Sequence, residues 1–158
     1  MKAISLWQPW AALWVLQIKK NETRSWPFPH WYTGPVAIHA AKKKINIYAD
    51  LDDAEWREGI LKALNKAGIE YEDLIRGALI GVCDRIQSTP IHKRPEEELE
   101  EMLGDWSPGR YRWTPKNMRP IKQPIPFKGQ QRLFDIDDNI LINGSPNQPD
   151  RHEQLKLF

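Results

Sequence analysis

The residues best suited to chemistry lie close together in the first part of the sequence. Lys19, Glu22 and Arg24 place three ionisable side chains within six positions, with tryptophans on either side. A lysine serves as a base only if it loses its proton near neutral pH, which burial and a neighbouring cation favour and a carboxylate opposes. Two interpretations therefore stay open. The cluster forms a polar pocket with aromatic walls, or it is an ion-pair network in which Glu22 bridges the two cations.

Short elements must position this cluster. Apolar spacing predicts a helix from about Trp10 to Ile18, with Pro9 as its first residue. The spacing of every second residue predicts a strand over residues 21–26. On such a strand the side chains of Glu22, Arg24 and Trp26 lie on the same face. The cluster would then lie at the junction between the end of the helix and the start of the strand.

The rest of the sequence predicts an α+β fold. A helix over residues 54–67 has Asp52 or Asp53 as its N-cap and Gly68 as its stop. The other predicted elements are strands at 2–6, 35–41, 78–86, around Trp113, at 120–126 and at 132–136, and an acidic helix at 95–103.

Composition excludes several classes of protein. A chain of 158 residues suits one domain that buries a core without disulfides or metals. The single Cys83 forms no internal disulfide and is expected to be a small buried thiol. No group has metal-ligand spacing, so neither a metal nor a cofactor is predicted. No apolar run approaches about 20 residues and no signal pattern opens the sequence, so a cytoplasmic protein without a membrane partner is expected.

Aromatic and basic residues are typical of a nucleic-acid surface, although the net charge of +2 is too small to argue for one alone. Eight tryptophans offer faces on which a base can stack. Lysines follow the strand at 35–41, where they could meet phosphates at the rim of a cleft. The predicted basic rim consists of Lys42, Lys43, Arg110 and Arg112, continued by Lys116, Arg119, Lys122, Lys128 and Arg132. Tyr111 and Trp113 interleave with it, and Trp113 is equally plausible as core packing.

His39 lies in the middle of the strand at 35–41. Because successive side chains of a strand point to opposite faces, His39 is expected on the face opposite Ile38. One interpretation is a histidine that is hydrogen-bonded inside the fold. The other is a donor or proton-transfer group that reaches the ligand.

Three motifs occur in an order that resembles the ASCH family of the PUA-like superfamily. They are Ser5-Leu-Trp-Gln-Pro-Trp10, Lys19-x-x-Glu22-x-Arg24-x-Trp26 and Gly34-Pro-Val-Ala-Ile-His-Ala-Ala41. The resemblance covers about Met1 to Ile136. It implies a PUA-like small β-barrel with flanking helices over residues 1–142, in which the Lys, acidic and Arg positions line a cleft and the strand of His39 lies beside it.

The resemblance implies a nucleic-acid or nucleotide partner: RNA, single-stranded DNA or a modified nucleoside. A single-stranded or flipped base would stack between Trp7 or Trp10 and Tyr111, and the other ligand-binding residues would be Gln8, Arg24, His39 and Trp113. The alternative is a hydrolase of the same family, an N-acylcytidine amidohydrolase or a single-strand ribonuclease, with Lys19, Glu22 and Asp84 as the catalytic residues. Glu22 occupies the position of the amidohydrolase threonine, while Thr23 is shifted by one and is expected to face away. We therefore favour the binding interpretation.

Residues 143–158 differ in character from the rest of the sequence. The stretch from Asn143 to His152 has no apolar residue besides proline and is predicted to be a flexible linker. The following Gln-Leu-Lys-Leu-Phe resembles the peptide by which bacterial proteins bind the DNA polymerase sliding clamp, and it implies a bacterial or phage protein. Its clamp-binding residues would be Gln154, Leu155, Leu157 and Phe158. An edge strand, a chance match, and an adaptor that acts mainly through this segment remain open.

Overall fold

The computed structural model describes residues 1–140, which form two β-sheets and a few helices in an α+β arrangement. The strands are β1 (Lys2–Leu6), β2 (Glu22–Arg24), β3 (Val36–Ala40), β4 (Ala78–Cys83), β5 (Arg85–Pro90), β6 (Tyr111–Lys116), β7 (Arg119–Pro126) and β8 (Leu133–Asp135). The α-helices are α1 (Trp10–Val15), α2 (Ala54–Ala67) and α3 (Glu98–Met102).

The two sheets are separate. A mixed sheet has the order β7-β4-β3-β1-β8, with β1 and β3 parallel, and a smaller antiparallel sheet has the order β2-β6-β5. The predicted closed barrel is not found among residues 1–140. The strand predicted over 78–86 is broken at Asp84, where the chain leaves the larger sheet and β5 pairs with β6 instead.

Helix α1 packs on one face of the five-stranded sheet. Its residues from Ala11 to Val15 are buried in one cluster with Ile4, Ile38 and Ile80, and the opposite face forms a second cluster around Phe134. The helix approaches β4 so closely that a Cβ at Gly81 would lie 2.4 Å from Cγ2 of Val15. Only glycine permits that contact without a shift of Val15 or of the strand.

Local signals account for helix α2, which has the predicted bounds. The Asp53 carboxylate accepts hydrogen bonds from the backbone N–H groups of Glu55 and Trp56, and Gly68 ends the helix in the left-handed conformation at φ 68°. The acidic helix is shorter than predicted and covers Glu98–Met102.

Helix α1 ends three residues earlier than predicted. Gln17 has φ 59°, a left-handed conformation, and the N–H groups of Ile18 and Lys19 both bond back to the Leu13 carbonyl. Such a wrapped C-terminus satisfies the last helical carbonyls. It also ties the backbone of Lys19 to the end of the helix. Within residues 1–140, no helix has the length and apolarity needed to cross a membrane.

Candidate functional site

Lys19, Glu22 and Arg24 meet at the junction of α1 and β2. The Lys19 side chain is 2% exposed, and its Nζ donates to Glu22 Oε2 at 2.7 Å and to the Asn21 carbonyl. The other carboxylate oxygen of Glu22 lies 3.2 Å from Arg24 Nε. Glu22 therefore bridges the two cations, and the third N–H of Lys19 has no acceptor among residues 1–140.

A buried carboxylate from α3 holds the loop that carries this cluster. Glu100 is 3% exposed and accepts hydrogen bonds from the backbone N–H of Lys20 at 2.7 Å and of Asn21 at 2.9 Å. Sequence reasoning missed this role because Glu100 belongs to a run of glutamates that is typical of a solvated helix face. Its position between Leu99 and the apolar pair Met102 and Leu103 was the available signal.

A small cavity opens beside Lys19. Its volume is about 150 Å³, and cavities of roughly this size accept a single aromatic ring. Tryptophans from two helices line it, Trp10 from α1 and Trp56 from α2. The remaining lining residues are Lys19, Glu22, Thr23, Leu103, Gly104, Asp105 and Arg110. The sequence predicted Trp10, Lys19, Glu22 and Arg110 as site residues, whereas Trp56 and Asp105 were missed because they come from distant segments.

The cavity presents both donors and acceptors. The Arg110 guanidinium donates through Nη2 to the Thr23 carbonyl at 3.3 Å, and its Nε lies 3.5 Å from Asp105 Oδ2. Hydrogen bonds from Ser107 and the charge of Arg110 hold the pKa of Asp105 below its usual value, so this carboxylate is an acceptor at neutral pH. Lys19 and Arg110 supply the donors. Within the described part of the chain, no cluster of three His, Cys, Asp or Glu side chains could hold a metal ion.

Thr23 lines the same cavity, so the expectation that it faces away is wrong. Its Oγ1 accepts a hydrogen bond from the backbone N–H of Asp105 at 3.1 Å. The reason is that the loop at Gly104 and Asp105 packs against this side of β2, which brings both Glu22 and Thr23 to the cavity wall.

Most of the predicted site residues do not line the cavity, Asp84 and Trp113 among them. Asp84 pairs with Arg119 at 2.9 Å and accepts from Asn117, hydrogen bonds that lower its pKa. Trp113 is fully buried and packs edge-on against Trp26, to whose carbonyl its Nε1 donates.

Gln8 is buried with both ends of its amide engaged. Nε2 donates to the Ile75 carbonyl at 2.8 Å, and Oε1 accepts from the backbone N–H of Ala12 at 3.0 Å. These bonds fix the start of α1, so Gln8 has a structural role in this arrangement.

His39 differs most from its predicted location. It faces away from Ile38, as its parity predicted, but this puts it on the sheet face opposite α1 and away from Lys19. The Phe127 carbonyl can only accept, so Nε2 carries the proton and Nδ1 accepts from the Ser5 hydroxyl, both at 2.8 Å. Burial lowers the pKa of His39, partly offset by the Phe127 hydrogen bond, and the ring is neutral at pH 7.

The predicted basic rim is divided between several surfaces. Lys42 lines a second cavity beside His39, whereas Lys43 places its Nζ 4.9 Å from the centre of the exposed Trp7 ring. Arg112 lies over Trp106 at 5.0 Å. Of the four rim residues, only Arg110 lines the Lys19 cavity. Tyr111 pairs with Arg24 across β2 and β6, next to the ion-pair cluster.

The described residues form an α+β domain with a small cavity that is lined by residues of α1, α2 and the short sheet. No protein-family profile matches the chain. The chain is similar to activating signal cointegrator 1 of Homo sapiens, at 28% identity, and of Mus musculus, at 27% identity, in each case over 138 residues. The aligned region is 87% of this chain and 22% of each relative, so the chain spans about a fifth of the length of the curated relatives it matches. This similarity supports the resemblance to an ASCH-like family.

The predicted clamp-binding residues Gln154, Leu155, Leu157 and Phe158 lie outside the described residues, as does the linker that precedes them.

Proposed function

We propose that the protein binds single-stranded nucleic acid and takes one base into the Lys19 cavity. The observation that carries the proposal is a cavity of about 150 Å³ lined by Trp10 and Trp56, with Lys19 and its Glu22 partner in the wall. A base in this space would have an aromatic face to stack on and donors and acceptors for its edge. RNA, single-stranded DNA and a base flipped from a duplex all supply that chemistry.

The hydrogen bonds of Lys19 support binding rather than proton abstraction. A general base needs a free lone pair near the proton that it removes. Here Nζ donates to Glu22 and to the Asn21 carbonyl, so it acts as a donor and has one N–H left for a ligand. A ligand carbonyl or phosphate oxygen is the natural acceptor for that N–H.

Thr23 favours one second candidate, hydrolysis of the N-acyl amide of an acylated cytidine. Lys19 and Thr23 line one cavity with the Asp105 carboxylate. Water would add to the amide carbonyl, and the C–N bond would break to release the carboxylic acid and cytidine. Asp84, one of the carboxylates predicted from sequence, forms an ion pair elsewhere, so Glu22 and Asp105 are the carboxylates in this cavity. Release of acid from N4-acetylcytidine tests this activity, and absence of release would contradict it.

Fluorescence anisotropy with labelled single-stranded RNA and DNA tests the binding proposal. Replacing Trp56 with leucine should weaken binding by roughly 5- to 150-fold, since stacking of one base on an aromatic ring is worth about 1–3 kcal/mol. Lys19→Met should also weaken it. Lys20→Met is the matched control, because the Lys20 side chain is exposed and does not line the cavity. Equal affinity of Lys19→Met and Lys20→Met would contradict the proposal.

We further propose recruitment to a bacterial sliding clamp, on the sequence pattern of residues 154–158 alone. Leu157 and Phe158 would fill the hydrophobic site of the clamp, and Gln154 would bond at its rim. A short peptide of this kind loses entropy on binding, so micromolar affinity is expected. Calorimetry of the synthetic peptide against purified clamp tests this, with the Leu157→Ala, Phe158→Ala peptide as control. No heat at high micromolar peptide would refute the role.

A further inference from the structure

A second cavity of about 830 Å³ lies on the sheet face opposite α1, within the size range of small-molecule sites. Three cationic side chains line it, those of Lys42, Arg76 and Lys128, and no Asp or Glu does. None of the three cations forms an ion pair within residues 1–140. Glu72, whose carboxylate lies near enough to Arg76 to feel its charge, is paired with Lys44. The cavity therefore has a formal charge of +3 from its lining residues.

Arg76 is held in place with part of its guanidinium unused. Nη1 donates to the Leu74 carbonyl at 3.0 Å, and the group lies 4.9 Å from the centre of the Tyr71 ring. Nε and Nη2 are buried and have no acceptor in the described part of the chain. These two N–H groups form the edge of arginine that matches two oxygens of a phosphate.

The backbone around Arg76 is fixed as well. Gly77 has φ 70°, its N–H bonds to the Ala40 carbonyl at 2.7 Å, and its carbonyl accepts from the N–H of Phe127 at 3.0 Å. The residue after Arg76 is therefore tied to the ends of β3 and β7. Arg76 lines the cavity, and ligand binding requires its guanidinium to turn so that the buried free edge faces the ligand.

We propose that this second cavity binds the phosphate of a nucleotide, with Arg76, Lys42 and Lys128 as its anion-binding residues. A phosphate monoester carries about 1.5 to 2 negative charges at neutral pH, which suits three cations without a competing carboxylate. Phe127 offers an apolar wall, and Gln130 and Gln131 offer amides to the sugar or base. A free mononucleotide and the terminal phosphate of a strand supply the same chemistry. The site is independent of the proposed function because it lies across the sheet from Lys19.

The inner wall of this cavity depends on a glycine. A Cβ at Gly129 would lie 2.5 Å from Cε1 of His39 and 3.0 Å from Oγ of Ser5. The chain around Gly129 rests directly on the Ser5–His39 pair and carries Lys128 and Gln130 on either side. Gly129→Ala should therefore displace the loop and weaken phosphate binding without altering any charge.

Calorimetry of the full chain with nucleoside monophosphates and with the matching nucleosides tests the proposal. We expect the phosphorylated ligands to bind at least tenfold more tightly than the nucleosides. Arg76→Gln should remove at least tenfold of that affinity, whereas Arg85→Gln, at an exposed arginine outside the cavity, should change nothing. Loss of the preference for phosphorylated ligands in Arg76→Gln reads out this site, whereas affinity for unphosphorylated single strands reads out the proposed function, so failure of one is distinguishable from failure of the other.

Two further experiments identify the source of the phosphate and control for misfolding of the variant. Oligonucleotides with and without a 5′-phosphate show whether a strand end is accepted, and preference for the phosphorylated form supports the site even if mononucleotides bind weakly. If Arg76→Gln lowers the thermal midpoint sharply, the double variant Lys42→Gln, Lys128→Gln replaces it, since both lysines are exposed. Equal binding of phosphorylated and unphosphorylated ligands, or no binding at millimolar concentration, would overturn the proposal.

Discussion

Replacing Glu100 with glutamine should destabilise the protein and weaken the proposed site together. The two oxygens of this carboxylate accept from different backbone groups, Oε2 from Lys20 and Oε1 from Asn21. In glutamine one oxygen becomes an NH₂ group, which cannot accept, so one buried N–H would face a donor. The lost bond is charge-assisted, and such bonds are worth about 1.5–3 kcal/mol. With the strain of two facing donors, we expect a total loss of about 2–4 kcal/mol in the free energy of unfolding.

For a chain of this length each kcal/mol shifts the thermal midpoint by about 2–4 °C, so Glu100→Gln should lower it by roughly 4–16 °C. Urea unfolding followed by tryptophan fluorescence gives the free energy, and anisotropy gives the affinity for single strands. Glu98→Gln is the matched control, because Glu98 lies on the same helix and is exposed. If the two variants unfold alike, the carboxylate does not hold the Lys19 loop and our explanation of its burial is wrong.

Three further outcomes follow from the core. Burial raises the pKa of the Cys83 thiol to about 12, so a thiolate-specific reagent at about pH 8 should modify it only after unfolding; rapid labelling of native protein would contradict this. Burial lowers the pKa of His39 below 6.5 in the folded state. The part of the free energy of unfolding that depends on its neutral ring is therefore fully present above pH 6.5 and is lost as the pH falls towards the folded-state pKa. Urea titrations should show a free energy of unfolding that falls as the pH drops below about 6.5, and this fall should be smaller in His39→Gln; an unchanged slope would refute this origin. Gly81→Ala should cost about 1–3 kcal/mol by forcing Val15 away from β4, and a neutral effect would contradict the packing.

The parts of the fold that depend on local signals could be predicted. Helix α2 has the bounds that its Asp53 cap and Gly68 stop indicate, since both devices act within one turn. The end of α1 could not be predicted in the same way. It depends on a left-handed Gln17, a conformation that the residue type does not favour and that tertiary packing selects.

The site could be predicted only where its residues are neighbours in sequence. Lys19 and Glu22 are three positions apart, and the sequence already suggested that they meet. Trp56 and Asp105 reach the cavity, and Glu100 reaches the loop after Lys19, through long-range packing that no local pattern encodes. His39 illustrates the same limit: alternation determines which face of the strand it occupies, whereas the layer that covers that face is decided by β7 and the loop after it.

Photo-crosslinking tests the central claim, that the Lys19 cavity holds one base of a single strand. A single-stranded oligonucleotide carrying one 4-thiouridine would be irradiated with the protein, and the modified residues would be located by mass spectrometry. We expect crosslinks at Trp10 or Trp56, the aromatic walls of the cavity, and their loss in Lys19→Met but not in Lys20→Met. Crosslinks that fall only at Trp7 or in the second cavity, or that persist unchanged in Lys19→Met, would contradict the claim.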